Sequence, residues 1–143
     1  MKVLVLLIAM FFIACGSEET SEPCLLAPGE YQITSLISNT DCPEVFGEAD
    51  GVFHDNGTTW SLKDTGFGCG ETQQENWTQT VYTASCECTV LYEDIYYEVG
   101  QDYFKVKRTS KLECQPYYDL NDTWCNKKCS AEGEIKGNLI NKI

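Results

Sequence analysis

Nine cysteines dominate the chemistry this 143-residue chain could carry, and their spacing is uneven. Cys15 stands apart, followed by Cys24, Cys42, Cys69, Cys86, Cys88, Cys114, Cys125 and Cys129. Eight remain if Cys15 is lost or modified. An even set in an exported chain of this size reads as four disulfides, whose connectivity has ~105 solutions and stays open from sequence. A metal site is the alternative, with Cys86-Glu87-Cys88 and Cys125 to Cys129 as ligand pairs. Zinc sites use matched pairs at short spacing, and these spacings do not match, so no metal is expected. Cys86 and Cys88 lie two apart on an extended stretch and would bond to each other only with strain, so each is expected to bridge a different partner.

Other reactive groupings are sparse. The single histidine, His54, lies beside Asp55 next to a turn, but no nucleophile motif, metal-binding helix motif or phosphate loop accompanies the pair. Gly66-Phe67-Gly68-Cys69-Gly70 is glycine-rich without a lysine or a following helix, and reads as a tight disulfide loop. Acidic pairs such as Glu93-Asp94 lack the alternating oxygen ligands of a calcium loop. We therefore expect no enzymatic activity and no cofactor. The formal net charge of -12 argues against nucleic acid, whose phosphates would repel it.

The elements that must position these residues read as strands. Glu30 to Ser38 alternates, with Tyr31, Ile33, Ser35 and Ile37 on one face. Asn56-Gly57 suits a type I′ hairpin turn. Trp77 to Tyr92 reads as one long extended stretch, with Tyr82, Ala84, Cys86, Cys88, Val90 and Tyr92 on one face. A turn at Glu93-Asp94 and a second at Gly100 to Tyr103 then place Val90, Tyr97 and Val106 in one inward row, pair Val99 with Phe104 and Glu98 with Lys105, and leave Tyr96 and Tyr103 pointing outward. Those two tyrosines are the candidate recognition surface, since outward tyrosines offer area with a polar tip. Past Cys114 a disulfide-pinned loop is expected, with one helical turn around Asp122 to Lys128, and Glu134 to Ile140 returns as a last strand weakened by Gly137. The fold class is all-β: a small disulfide-stapled antiparallel meander, sandwich or barrel.

Upstream, Lys2 precedes an apolar run from Val3 to Cys15, followed by Gly16-Ser17-Glu18-Glu19. At about 12 residues the run is short of the ~20 that span a bilayer and has the pattern of a secretory signal. Its exit, Phe12-Ile13-Ala14-Cys15, resembles the lipobox of bacterial lipoproteins. The resemblance covers only these first residues. It implies cleavage by signal peptidase II, acylation of Cys15 with palmitate-like chains, and an envelope lipoprotein expected at the outer membrane, facing away from the cytoplasm. Two or more acyl chains hold a protein stably at a bilayer where one does not. The organisation that follows is a signal peptide over 1–15, an acidic tether over 16–23, and one cysteine-rich domain over 24–143, binding a protein or glycan partner that the sequence does not name. The competing reading is a secreted, cysteine-rich inhibitor or effector. Three sequons at Asn56, Asn76 and Asn121 support it by offering acceptors for glycans.

Overall fold

The computed structural model describes residues 22–117 and 125–143. Strands take 62% of the described residues and helix 3%, so the all-β expectation holds. The expected signal peptide over 1–15, residues 16–21 of the tether, Asn121 and most of the expected helical turn from Asp122 lie outside the described residues.

Six strands form one antiparallel sheet that curls into a half-barrel. They are β1 (Gly29–Thr40), β2 (Thr59–Leu62), β3 (Gln73–Tyr82), β4 (Cys86–Val99), β5 (Tyr103–Pro116) and β6 (Lys128–Lys142), with a single helical turn, α1 (Pro43–Phe46), after β1. The spatial order is β2-β1-β6-β5-β4-β3. Strands β3 to β6 form an antiparallel meander, one strand longer than expected, and β1 closes against β6. In β1, Tyr31, Ile33, Ser35 and Ile37 are buried as their alternation requires.

The meander turns elsewhere than at Glu93-Asp94. β4 runs through those residues without a break, and the chain reverses instead at Thr83 to Ser85, where the Thr83 amide donates to the Cys86 carbonyl at 2.9 Å. The long stretch from Trp77 is therefore two strands, and Tyr82 and Ala84 are exposed rather than inward. The turn after Gly100 and the pairs Val99 with Phe104 and Glu98 with Lys105 stand as expected. A bulge between Tyr96 and Glu98 then inserts one residue into β4, and one extra residue exchanges the faces of everything beyond it. Tyr96 is consequently buried at 3% exposure and Tyr97 is outward at 41%, the reverse of the expectation, and Val106 stands opposite Tyr96 rather than Tyr97.

The Asn56-Gly57 turn is also real but of another kind. Only Gly57 has positive φ, at 78°, whereas a type I′ turn needs it at both central residues. β2 pairs with β1, not with the residues before the turn. Asn56 Oδ1 accepts from the Ser35 amide at 2.9 Å, and the Gly57 amide donates to the Ile33 carbonyl at 2.9 Å, so the turn is docked on β1.

The core falls into two clusters along the strands. One is aromatic and aliphatic, built on Tyr31, Ile33, Phe53, Tyr96, Phe104, Val106 and Ile135. The other holds Val90, Tyr92 and Leu112 among the sulfurs of Cys42, Cys86, Cys88, Cys125 and Cys129. All four bridges are present: Cys24–Cys69, Cys42–Cys129, Cys86–Cys125 and Cys88–Cys114. Cys86 and Cys88 bridge different partners, and Cys88 and Cys114 are opposed across β4 and β5. Each bridge is worth ~2–4 kcal/mol through restriction of the unfolded chain, which offsets a thin apolar core at that end.

Gly137 is not a weak point in β6. It stands opposite Phe104, whose ring would lie about 2.2 Å from a Cβ at that position. Phe104 cannot retreat, because Tyr31, Trp60 and Tyr96 surround it with ring centroids 5.2, 6.0 and 5.4 Å away. Glycine inside a strand ordinarily costs ~0.5–1 kcal/mol relative to alanine. Here the sign reverses: Gly137→Ala should destabilise by ~1–3 kcal/mol through overpacking, read as a lowered urea midpoint, and a midpoint equal to or above that of the parent would refute the packing assigned to Phe104.

Candidate functional site

Between the two apolar clusters the inner face of the sheet turns polar. The residue responsible is Arg108 on β5, 1% exposed, which an alternating strand places inward between Val106 and Ser110. Its Nε and Nη2 donate to Oδ1 and Oδ2 of Asp94 on β4, both at 2.7 Å, and its Nη1 donates to Oδ2 of Asp55 at 2.9 Å. The parallel fork onto Asp94 is the strongest geometry available to an arginine and a carboxylate. Burial alone would favour the neutral guanidine, but the hydrogen bonds and charges of Asp94 and Asp55 outweigh it and hold the group above its ordinary value. Asp94 and Asp55 together exceed the single positive charge by one. Asp55 Oδ1 and Ser110 Oγ are buried without a hydrogen-bond partner among the described residues.

Three rings enclose the same guanidinium. Its Cζ lies 5.4 Å from the Trp60 ring, 5.2 Å from Trp77 and 5.1 Å from Tyr92. Trp77 stacks on Tyr92 at 3.9 Å and its Nε1 donates to Asp94 Oδ2 at 3.3 Å. Trp60 belongs to β2 and Trp77 to β3, the opposite edges of the sheet. One cation therefore draws both edges of the half-barrel toward its centre. Each such contact is worth ~0.5–2 kcal/mol, more where desolvated.

This arrangement decides the fate of the expected sites. Asp55 is committed to Arg108 while His54 points to solvent, so the pair is not arranged as a base with its orienting acid. Glu93 is exposed and Asp94 buried, so the acidic pair is split between the two faces. The glycine-rich loop is the disulfide loop expected of it: the Cys69 amide donates to the Cys24 carbonyl at 2.9 Å, and Phe67 packs edge-on against Tyr96 at 4.9 Å. The sulfurs of Cys86, Cys88 and Cys114 lie within 4.8 Å of one another, but each is already bonded in a bridge. Of the two candidate recognition tyrosines, Tyr103 is 39% exposed as expected and Tyr96 is in the core. Cys15 lies outside the described residues.

The outer face carries a cleft of about 380 Å³ over β3, β4 and β5, lined by Asn76, Thr78, Leu91, Glu93, Thr109 and Lys111 together with Trp77 and Tyr92. It offers one apolar patch at Leu91 and opposite charges at Glu93 and Lys111, without a histidine, cysteine or serine in its lining. Asn76 is exposed beside it, and the side chain of Asn56 is engaged with Ser35 through Oδ1 alone. Sequence reading missed both this cleft and the Arg108 cluster, because their members are scattered over four strands and one loop. The available signal was Arg108 itself, an arginine at an inward position of an alternating strand.

A comparison with protein-family models finds no match for this chain, and none of the curated proteins or solved structures resembles it significantly.

Two stability measurements follow. Arg108→Met leaves two buried carboxylates without their counter-charge and should cost ~3–5 kcal/mol, whereas Lys105→Ala removes only a solvent-screened ion pair with Glu98 and should cost far less; equal costs in urea unfolding would deny the cluster its central place. Burial, followed by the charges of Glu75 and Asp94, holds the Tyr96 phenol neutral well above its ordinary range. A raised native pKa means that stability is full below the unfolded value near ~10 and falls as pH rises beyond it, since only the unfolded state ionises. Tyr96→Phe should flatten that alkaline decline in unfolding free energy, and an unchanged slope would count against it.

Proposed function

We propose that this chain is an extracytoplasmic lipoprotein, anchored through acylated Cys15, whose folded body is a non-enzymatic binding or support module. The observation that carries this reading is the cysteine balance: eight of nine cysteines are paired within the fold. The ninth is the residue on which the lipobox-like stretch ends. Four bridges are compatible with an oxidising extracytoplasmic compartment, and among the described residues no helix is long and apolar enough to cross a membrane.

The rest of the anatomy fits a tethered module. The bridge from Cys24 to Cys69 pins the start of the folded body, so residues 16–23 would act as spacer between acyl chains and domain. An acidic surface keeps the body off anionic headgroups and off nucleic acid. The strongest built polar group, Arg108, is spent on internal carboxylates, which suits a scaffold. What remains to meet a partner is the outer face, with Tyr97, Tyr103 and the cleft beside Asn76. The exposed Asn76 also supports a second reading, a secreted glycoprotein.

Mass spectrometry of the mature amino terminus distinguishes the two. A chain starting at diacylated or triacylated Cys15 is the expected result, and Cys15→Ala should shift the protein from the membrane fraction to the soluble one. A mature chain starting at Gly16 or Ser17, with a hexose-bearing mass on the Asn76 peptide, would establish the secreted form instead.

A further inference from the structure

β3 is an edge strand without the features that usually protect one. It is ten residues long, whereas β2 at the other edge has four. Edge strands are ordinarily blunted by brevity, lysine, proline or bulges. β3 contains no lysine, arginine or proline, and its register with β4 is unbroken. Among the described residues nothing pairs with its far side.

The backbone groups left open can be assigned. Thr83 and Cys86 form a hydrogen-bonded pair, and bonded and non-bonded pairs alternate along an antiparallel ladder. Val81, Gln79 and Trp77 therefore bond to Cys88, Val90 and Tyr92. Asn76, Thr78, Thr80 and Tyr82 direct their N–H and C=O groups away from the sheet.

We infer that this edge pairs with the same edge of a second copy, antiparallel, with the twofold axis at Gln79. The sequence of the strand is complementary to itself in that register. Trp77 stands opposite Val81 of the second copy, Thr78 opposite Thr80, and Asn76 opposite Tyr82. Aromatic with β-branched and threonine with threonine are among the favourable cross-strand pairs. With the axis moved to Thr78, Glu75 would face Val81 and Trp77 would face Gln79, and the match is lost. Asn76 to Tyr82 carries no charge in a chain of net -12, so two acidic molecules meet here at least electrostatic cost. Trp77, Val81 and Tyr82 are 39%, 45% and 68% exposed and gain cover from the pairing. One strand a side falls well under the ~800 Å² per partner of a standard interface, so the dimer is weak in dilute solution. Confinement at a membrane would raise its effective concentration; this last point alone rests on the anchoring proposed above.

The test uses the disulfide-bonded mature chain free in solution, which separates it from the question of the anchor. At the axis, residue 79 opposes its own copy as a non-bonded pair about 4.5 Å apart between Cα atoms, within disulfide reach. Gln79→Cys should therefore give a covalent dimer on mild oxidation with the four native bridges intact by peptide mapping. Glu75→Cys, roughly 27 Å from its copy by strand geometry, should not. Sedimentation equilibrium up to millimolar concentration should show a monomer–dimer equilibrium that Thr80→Pro, which removes an outward N–H from each copy, weakens about tenfold. Cross-linking at 79 no faster than at 75 overturns the register. A chain that stays monomeric at millimolar concentration overturns the pairing itself, and protected Thr78 and Thr80 amides in that monomer would mean that something other than a second copy covers the edge.

Discussion

The guanidinium of Arg108 is the group on which this structure turns. A buried cation is tolerable only where its donors are met and its charge is answered, and here Asp94 and Asp55 do both. The requirement works outward from there. Asp94 must stay in a continuous β4 to present its carboxylate, the loop carrying Asp55 must fold back over β1, and Trp60 and Trp77 close in from the two edges. A sheet of six strands that does not close on itself would otherwise leave its inner face open. One cation with two acids and three rings gives the open side a centre to curl toward, at the cost of desolvating all of them.

That polar centre divides the stabilising work between the two ends of the strands. At one end large side chains interlock, and Phe104 fits because Gly137 and the rings of Tyr31, Trp60 and Tyr96 leave it a single place. At the other, Val90, Tyr92 and Leu112 are too few to make a core, and three bridges do much of the holding. A domain of about 120 residues buries a limited fraction of its surface, so covalent restriction of the unfolded chain complements packing. The result is an inner face held by interlocked rings at one end and by bridges at the other, with the Arg108 cluster between them.

Placed on a spacer at a membrane, such a body would present its strand edges and outer face rather than an interior. The acidic surface would supply repulsion from headgroups and from neighbours of like charge, while the uncharged stretch of β3 from Asn76 to Tyr82 is the exception to it. The contrast between the two is what gives one edge a distinct character.

Much of this was legible in the residues alone. Alternation in β1 put Tyr31, Ile33 and Ile37 inside, an even set of eight cysteines meant four bridges, and the glycine-rich loop had to end in one, because these follow from local geometry and from counting. The signal-like start and its Cys15 are likewise properties of the chain, whatever the fold. Tertiary structure alone decided the rest. Glu93-Asp94 looks like a turn until Arg108, distant in sequence, supplies the charge that lets Asp94 be buried in mid-strand. A single inserted residue at the β4 bulge exchanged Tyr96 with Tyr97, and no local propensity marks where a ladder takes up an extra residue. Which cysteine met which, and that Trp60 and Trp77 share one cation, depend on strands brought together from far apart, where pairing energy rather than periodicity chooses the neighbour.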